Sequence, residues 1–128
     1  MKKVMILVAS LMVSVISFAG YTSDMINRME IKEGSSMILE SWDDELNKVY
    51  KLLMSKLSKK EQVKLKNEER AWIKKRDKVA KEVADEFCGT VNGKKLCGTA
   101  YGLEYTQSLI NSTKGRAIEL SKRYEKLK

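Results

Sequence analysis

The 128-residue chain has no histidine, no proline, two cysteines and 7 glycines. Without histidine the commonest metal ligand and the side chain that titrates near neutral pH are both missing. That excludes a histidine-based catalytic triad, a histidine zinc site and a histidine pH switch. Without proline, and with 33% charged and 43% hydrophobic residues, the composition is that of a helical protein, since a strand-rich chain needs more turn punctuation. The few glycines leave little material for a phosphate-cradling loop. The length bounds the chain to one domain. What is abundant is positive charge: 25 Lys and Arg against 17 Asp and Glu, a net +8.

Two of those lysines, Lys2 and Lys3, precede an uncharged run from Val4 to Phe18 that closes on Ser17-Phe18-Ala19. A basic start, an apolar stretch and small residues at a cleavage point form a secretory signal. The run is about 15 residues, short of the ~20 that span a bilayer. Residues 1–19 are therefore expected to be a cleaved signal peptide and residues 20–128 the mature helical domain. Export sends the protein to the periplasm or the extracellular space and means that it is not an integral membrane protein. It also redirects the meaning of the basic charge, from nucleic acid towards envelope polymers, lipid head groups and acidic proteins.

An oxidising compartment lets Cys88 and Cys97 pair. They bracket Gly89 to Leu96, with Asn92-Gly93 as a turn signal. Metal binding would require further ligands that the sequence does not show, and the spacing is not the C-x-x-C of a redox pair. A structural disulfide closing a short loop is the expectation, and no metal or other cofactor is expected.

Three helical segments follow from apolar spacing. Ile38, Leu39, Trp42, Leu46, Val49, Tyr50, Leu53 and Leu57 recur in steps of three and four. Met25, Ile26 and Met29 continue the pattern upstream of Gly34-Ser35-Ser36, where the first helix either kinks or restarts. Ser58-Lys59-Lys60-Glu61 is a capping-box sequence that starts the second helix almost without a loop, which makes the two antiparallel neighbours. The second stripe is Leu65, Trp72, Val79, Val83 and Phe87; the third, behind Thr99 as a cap, includes Tyr101, Leu103, Leu109, Ile110, Ala117, Leu120, Tyr124 and Leu127. The expected fold is all-α: an antiparallel three-helix bundle with a disulfide-closed loop between helices two and three.

Two arginines break these stripes. Arg76 lies between Trp72 and Val79, and Arg116 between Thr113 and Leu120. A guanidinium facing a core has to be paired, and Asp43, Asp44, Glu45 and Asp77 are the candidate partners. No catalytic set emerges. The serines lack a histidine, a Ser-Lys pair has no supporting motif, and most carboxylates have a lysine or arginine within helical reach, which argues against a raised-pKa acid. The chain is expected not to be an enzyme.

Asp44-Glu45-Leu46-Asn47-Lys48-Val49-Tyr50 and Glu69-Arg70-Ala71-Trp72-Ile73-Lys74-Lys75-Arg76-Asp77 resemble the LN-x-x-Y and QR-x-W-x-x-x-RD signatures of the LprI-like domain of small exported bacterial proteins, some of them lysozyme inhibitors. Thr113-Lys114-Gly115-Arg116 with Leu120 resembles the closing T-x-x-R-x-x-x-L of that family. The resemblance runs from about residue 24 to the C-terminus. Glu69 stands where the family usually has Gln, and Ala80 and a residue near Ser108 stand where it usually has further cysteines. The motif residues Leu46, Asn47, Tyr50, Arg70, Trp72, Arg76, Asp77, Thr113 and Arg116 are expected to be structural.

The resemblance implies an envelope protein that binds lysozyme or another envelope or host protein. Lysozymes of the animal type are cationic, so a basic partner needs either an acidic patch, with Glu40, Asp43, Asp44 and Glu45 as candidates, or a loop inserted into the cleft. The Cys88–Cys97 loop is the candidate plug. Val91, Asn92, Lys94, Lys95 and Leu96 would be its contact residues, and the two lysines would meet the cleft carboxylates. The alternative is a structural module that binds anionic cell-wall polymer or a lipid surface through the lysine-rich face of helix two. Nucleic acid is not an expected partner.

Overall fold

The computed structural model describes residues 20–32 and 38–127. Residues 1–19, where the signal peptide is expected, and Gly34-Ser35-Ser36 lie outside the described residues. Four helices and one hairpin follow in order: α1 (Tyr21–Lys32), α2 (Ile38–Lys56), α3 (Lys59–Asp85), β1 (Cys88–Val91), β2 (Lys94–Cys97) and α4 (Thr99–Lys126). The all-α expectation is met in the main, but the bundle is not simply three-helical. α1 is an element in its own right. It buries Met25 and Met29 completely and runs opposite to α2 and α4, with Thr22 beside Ser121 at one end and Arg28 beside Glu45 at the other.

The turn between α2 and α3 is as tight as the capping sequence predicts. Ser58 is the N-cap of α3, its Oγ accepting from the Glu61 N–H at 3.3 Å while its hydroxyl donates to the Glu61 carboxylate at 3.2 Å. Gln62 closes the other side. Its amide donates to the Met54 and Leu57 carbonyls at 3.0 and 3.2 Å, satisfying acceptors that the end of α2 leaves open. The expected cap at Thr99 is corrected: Gly98 is the N-cap of α4 without a side-chain bond, and Thr99 is already helical.

α4 is the hub. It packs closely on both α2 and α3, whereas α2 and α3 approach each other less closely although a short turn joins them. The core is Met25 and Met29 of α1, Trp42, Leu46, Val49 and Leu53 of α2, Leu65 of α3, and Ala117, Leu120 and Tyr124 of α4. α3 adds the fully buried Ala80 and Ala84, whose small side chains suit close helix contact. Residues of α4 join the core cluster only from Ile110 onward. Leu103 at 71% exposure and Phe87 at 47% therefore fall outside the core, although periodicity places both on apolar stripes. Leu127 is likewise exposed.

The segment between the cysteines is a two-stranded antiparallel hairpin with Cys88 opposite Cys97 and Val91 opposite Lys94. Asn92 and Gly93 both have positive φ, 52° and 77°. A two-residue turn of this kind matches the strand twist, and Asn-Gly tolerates the left-handed backbone it requires. The disulfide joins the two strands at the hairpin base, with the Cα atoms 4.2 Å apart. That spacing suits a pair that is not hydrogen-bonded across the strands.

Leu120 and Leu103 lie on the same helix, the first fully buried and the second mostly exposed. Leu120→Ala is expected to cost about 2–5 kcal/mol in urea unfolding, and Leu103→Ala to stay within about 0.5 kcal/mol.

Candidate functional site

The residues that break the helical stripes meet between α3 and α4. Arg116 is 4% exposed at its side chain. Its Nε and Nη2 donate to Glu69 at 3.2 and 3.1 Å, Nη2 also to Glu68 at 3.2 Å, and Nη1 to Glu119 at 3.3 Å. Arg123 then clamps both oxygens of Glu68 at 2.7 and 2.9 Å and reaches Glu119 at 3.0 Å. Two guanidiniums and three carboxylates thus share one network. Burial works against the charged form of Arg116, but Glu69, Glu68 and Glu119 more than offset it and raise its pKa. Hydrogen bonding from Arg123, helped by Arg116 and opposed by burial, lowers the Glu68 pKa to about 2.

The expectation that a core-facing Arg116 must be paired holds, while the expected partners are corrected. None of Asp43, Asp44 and Glu45 reaches it. The acids come from the stretch of α3 that lies level with Arg116, together with Glu119 one turn along α4. Glu69, the position that departs from the family's Gln, is a direct partner and adds a full charge there. Glu45 is buried and instead receives Arg28 at 3.0 Å, with Lys48 at 3.9 Å. Arg76 does find the expected acids, Asp77 at 3.0 Å and Asp43 at 3.7 Å, the latter tying α3 to α2. Burial pushes the Asp43 pKa up against the pull of Arg76.

Trp72 sits between the two arginines, with the Arg76 guanidinium 5.2 Å and the Arg116 guanidinium 5.9 Å from its ring. Cation–π contact of this kind favours arginine at both positions. Trp72 is nevertheless only partly buried, as is Tyr50, whereas Trp42 is 1% exposed and belongs fully to the core. Thr113 is wholly buried, and its hydroxyl finds no hydrogen-bond partner among the described residues.

The remaining motif residues line one groove. Leu46, Asn47 and Tyr50 of α2 face Glu69, Arg70, Trp72, Ile73 and Arg76 of α3 across a hollow of about 320 Å³, with Asp43 and Lys66 at its margins. The groove exists because α2 and α3 diverge on either side of α4. Asn47 and Arg70 are exposed. Among the motif residues, Arg116, Leu46 and Thr113 are buried, Tyr50 is half-buried against the core, and Asn47 and Arg70 are exposed.

The second candidate surface is the hairpin. Alternation along paired strands places Gly89, Val91, Lys94 and Leu96 on one face, and Thr90, Lys95 and the disulfide on the other. Lys95 remains exposed but is paired: its Nζ lies 2.9 Å from Asp85 at the end of α3 and holds that carboxyl below its usual range. Lys94 has no acidic partner among the described residues. Val91 and Leu96 are 53% and 56% exposed.

Two predictions follow from the network. Arg116→Ala leaves the mostly covered Glu69 without its counter-charge, while the more exposed Glu68 and Glu119 turn to water, and is expected to cost about 3 kcal/mol in chemical denaturation, the lower end for a broken buried pair. Because the folded pKa of Glu68 lies below its ordinary 4.5, its contribution is complete above the unfolded pKa and is lost as pH falls towards about 2. A Glu68→Gln variant should thus lose less stability than the parent between about pH 4.5 and 2, read as the difference between two urea-midpoint profiles.

No curated relative and no solved structure matches the chain significantly. The family described as lysozyme inhibitor LprI matches residues 21–120, which takes in α1 to α3, the hairpin, the LN-x-x-Y and Trp72-centred motifs, and α4 through Arg116 to Leu120. The chain belongs to the LprI lysozyme inhibitor family.

Proposed function

We propose that this protein binds lysozyme and blocks it by inserting the exposed face of the Cys88–Cys97 hairpin into the enzyme's cleft. Family membership implies an inhibitor-like function, and the hairpin is the feature of the fold best suited to enter a cleft. The observation that carries this is the pair Val91 and Leu96, more than half exposed on one face of a cross-linked hairpin. Exposed apolar side chains on a covalently closed, tight-turned segment give contact area at little ordering cost on binding. Lys94 shares that face and is placed to meet a carboxylate of the cleft. Lys95 and Asp85 brace the opposite face against the end of α3.

Charge favours the hairpin over the acidic-patch alternative. Of the four acids of α2, Glu45 is buried under Arg28 and Asp43 is engaged by Arg76. Too little free negative charge remains there to attract a cationic enzyme to a protein that is itself net basic. A short apolar tip reduces the penalty, because the repulsion acts chiefly at long range and is screened beyond about 8 Å at physiological salt. The mode of action is occlusion rather than catalysis, and the setting is outside the cytoplasm, as the N-terminal segment suggests.

The experiment is a lysozyme assay on cell-wall suspensions with purified protein. The parent should slow lysis, and Val91→Ser with Leu96→Ser should weaken inhibition by about thirtyfold, the scale of one apolar hot spot. Charge reversal at Lys74 and Lys75 on the outer side of α3 should leave inhibition intact. A double hairpin variant that inhibits as well as the parent overturns the reading.

A further inference from the structure

The hairpin reading gives no task to the groove between α2 and α3. We infer that this groove binds a carboxylate-bearing N-acetylated amino sugar. Its volume of about 320 Å³ is at the lower end of the roughly 300–1,000 Å³ typical of small-molecule sites. It has room for a sugar ring and its substituents and not for a folded partner.

The chemistry of the walls selects the ligand. Arg76 is occupied by Asp77 and Asp43, and Glu69 by Arg116. Lys66 and Arg70 have no acidic partner among the described residues, so the groove carries uncommitted positive charge on its α3 side. On the α2 side the Asn47 amide and the Tyr50 hydroxyl make no hydrogen bond among the described residues, which leaves both donors and acceptors open. Ile73, 40% exposed, adds apolar surface, over the buried Leu46 at the floor.

A bare phosphate or polyphosphate would use the cations but would meet the Asp43 carboxylate, which is suited to accept from a hydroxyl. A neutral sugar would use Asn47, Tyr50 and Asp43 but leave Lys66 and Arg70 unmatched. An acidic amino sugar satisfies both sides: its carboxylate takes the charge-assisted bonds of Arg70 and Lys66, its acetamido group meets the Asn47 amide, and its hydroxyls meet Tyr50 and Asp43. Such a sugar comes from two sources, the muramic acid of peptidoglycan or the sialic acid of host glycans, and the groove chemistry is common to them.

The test is a heteronuclear NMR titration of the purified protein with N-acetylmuramic acid, N-acetylneuraminic acid and, as the uncharged control, N-acetylglucosamine. The Trp72 indole and Asn47 side-chain amide signals report the groove. At least one acidic sugar should shift them at millimolar concentration, and should do so at about tenfold lower concentration than the control, the gain expected of a charge-assisted contact. A response to muramic acid alone assigns the envelope source, a response to neuraminic acid alone the host source, and a response to both leaves the shared chemistry as the specificity. Arg70→Ala with Lys66→Ala, both on the solvent side of α3, should remove the preference for the acidic sugars. No shift with any sugar, equal shifts with all three, or a preference that survives the double variant overturns the inference. The Val91→Ser, Leu96→Ser protein should bind the sugar as the parent does, so failure of the groove and failure of the lysozyme reading are told apart.

Discussion

A buried guanidinium cannot be left without counter-charge, and Arg116 is that group here. Neutralising it brings Glu68 and Glu69 of α3 against α4, draws in Glu119, and through Glu68 recruits Arg123. The contact between α3 and α4 therefore rests on charge as much as on apolar area, since α3 contributes only Leu65, Ala80 and Ala84 as fully buried apolar residues. At the covered pair of Arg116 and Glu69, removing one partner costs more than the pair's net worth to stability, because it leaves an uncompensated charge away from water; Glu68, Glu119 and Arg123 lie nearer to solvent. The network's main consequence is geometric: it sets how α3 lies along α4.

That placement produces the groove. With α3 held to α4 by ion pairs and α2 held to α4 by the Trp42, Leu46, Val49 and Leu53 stripe, α2 and α3 diverge from the common helix despite the short Ser58 turn. Trp72 marks the boundary between the two kinds of surface. One guanidinium near its ring is buried framework and the other, that of Arg76, lies at the open hollow. Residues of the charged framework thus also line the hollow.

The hairpin shows the same economy at the other end of α3. A disulfide at the base and an Asn-Gly turn at the tip define a small ribbon, and Lys95 on one of its faces pairs with Asp85 of α3. The neighbouring lysines lie on opposite faces of the ribbon. Lys95 pairs with Asp85, and Lys94 shares its face with Val91 and Leu96.

Much of this was legible in the residues alone. Apolar steps of three and four identify α2, most of α3 and the second half of α4; Ser58 to Glu61 marks the helix start; the cysteines and Asn92-Gly93 mark a closed turn; and two arginines on apolar stripes announce that acids must face them. These are local rules, decided by neighbours within a few residues. Which acids answer Arg116, whether Met25 and Met29 belong to a separate helix of the bundle, that Leu103 and Phe87 lie outside the core, and that Asn47 and Arg70 border one hollow were settled only by tertiary structure. Periodicity determines a face of a helix but not what lies opposite it, and that depends on the level at which distant segments meet.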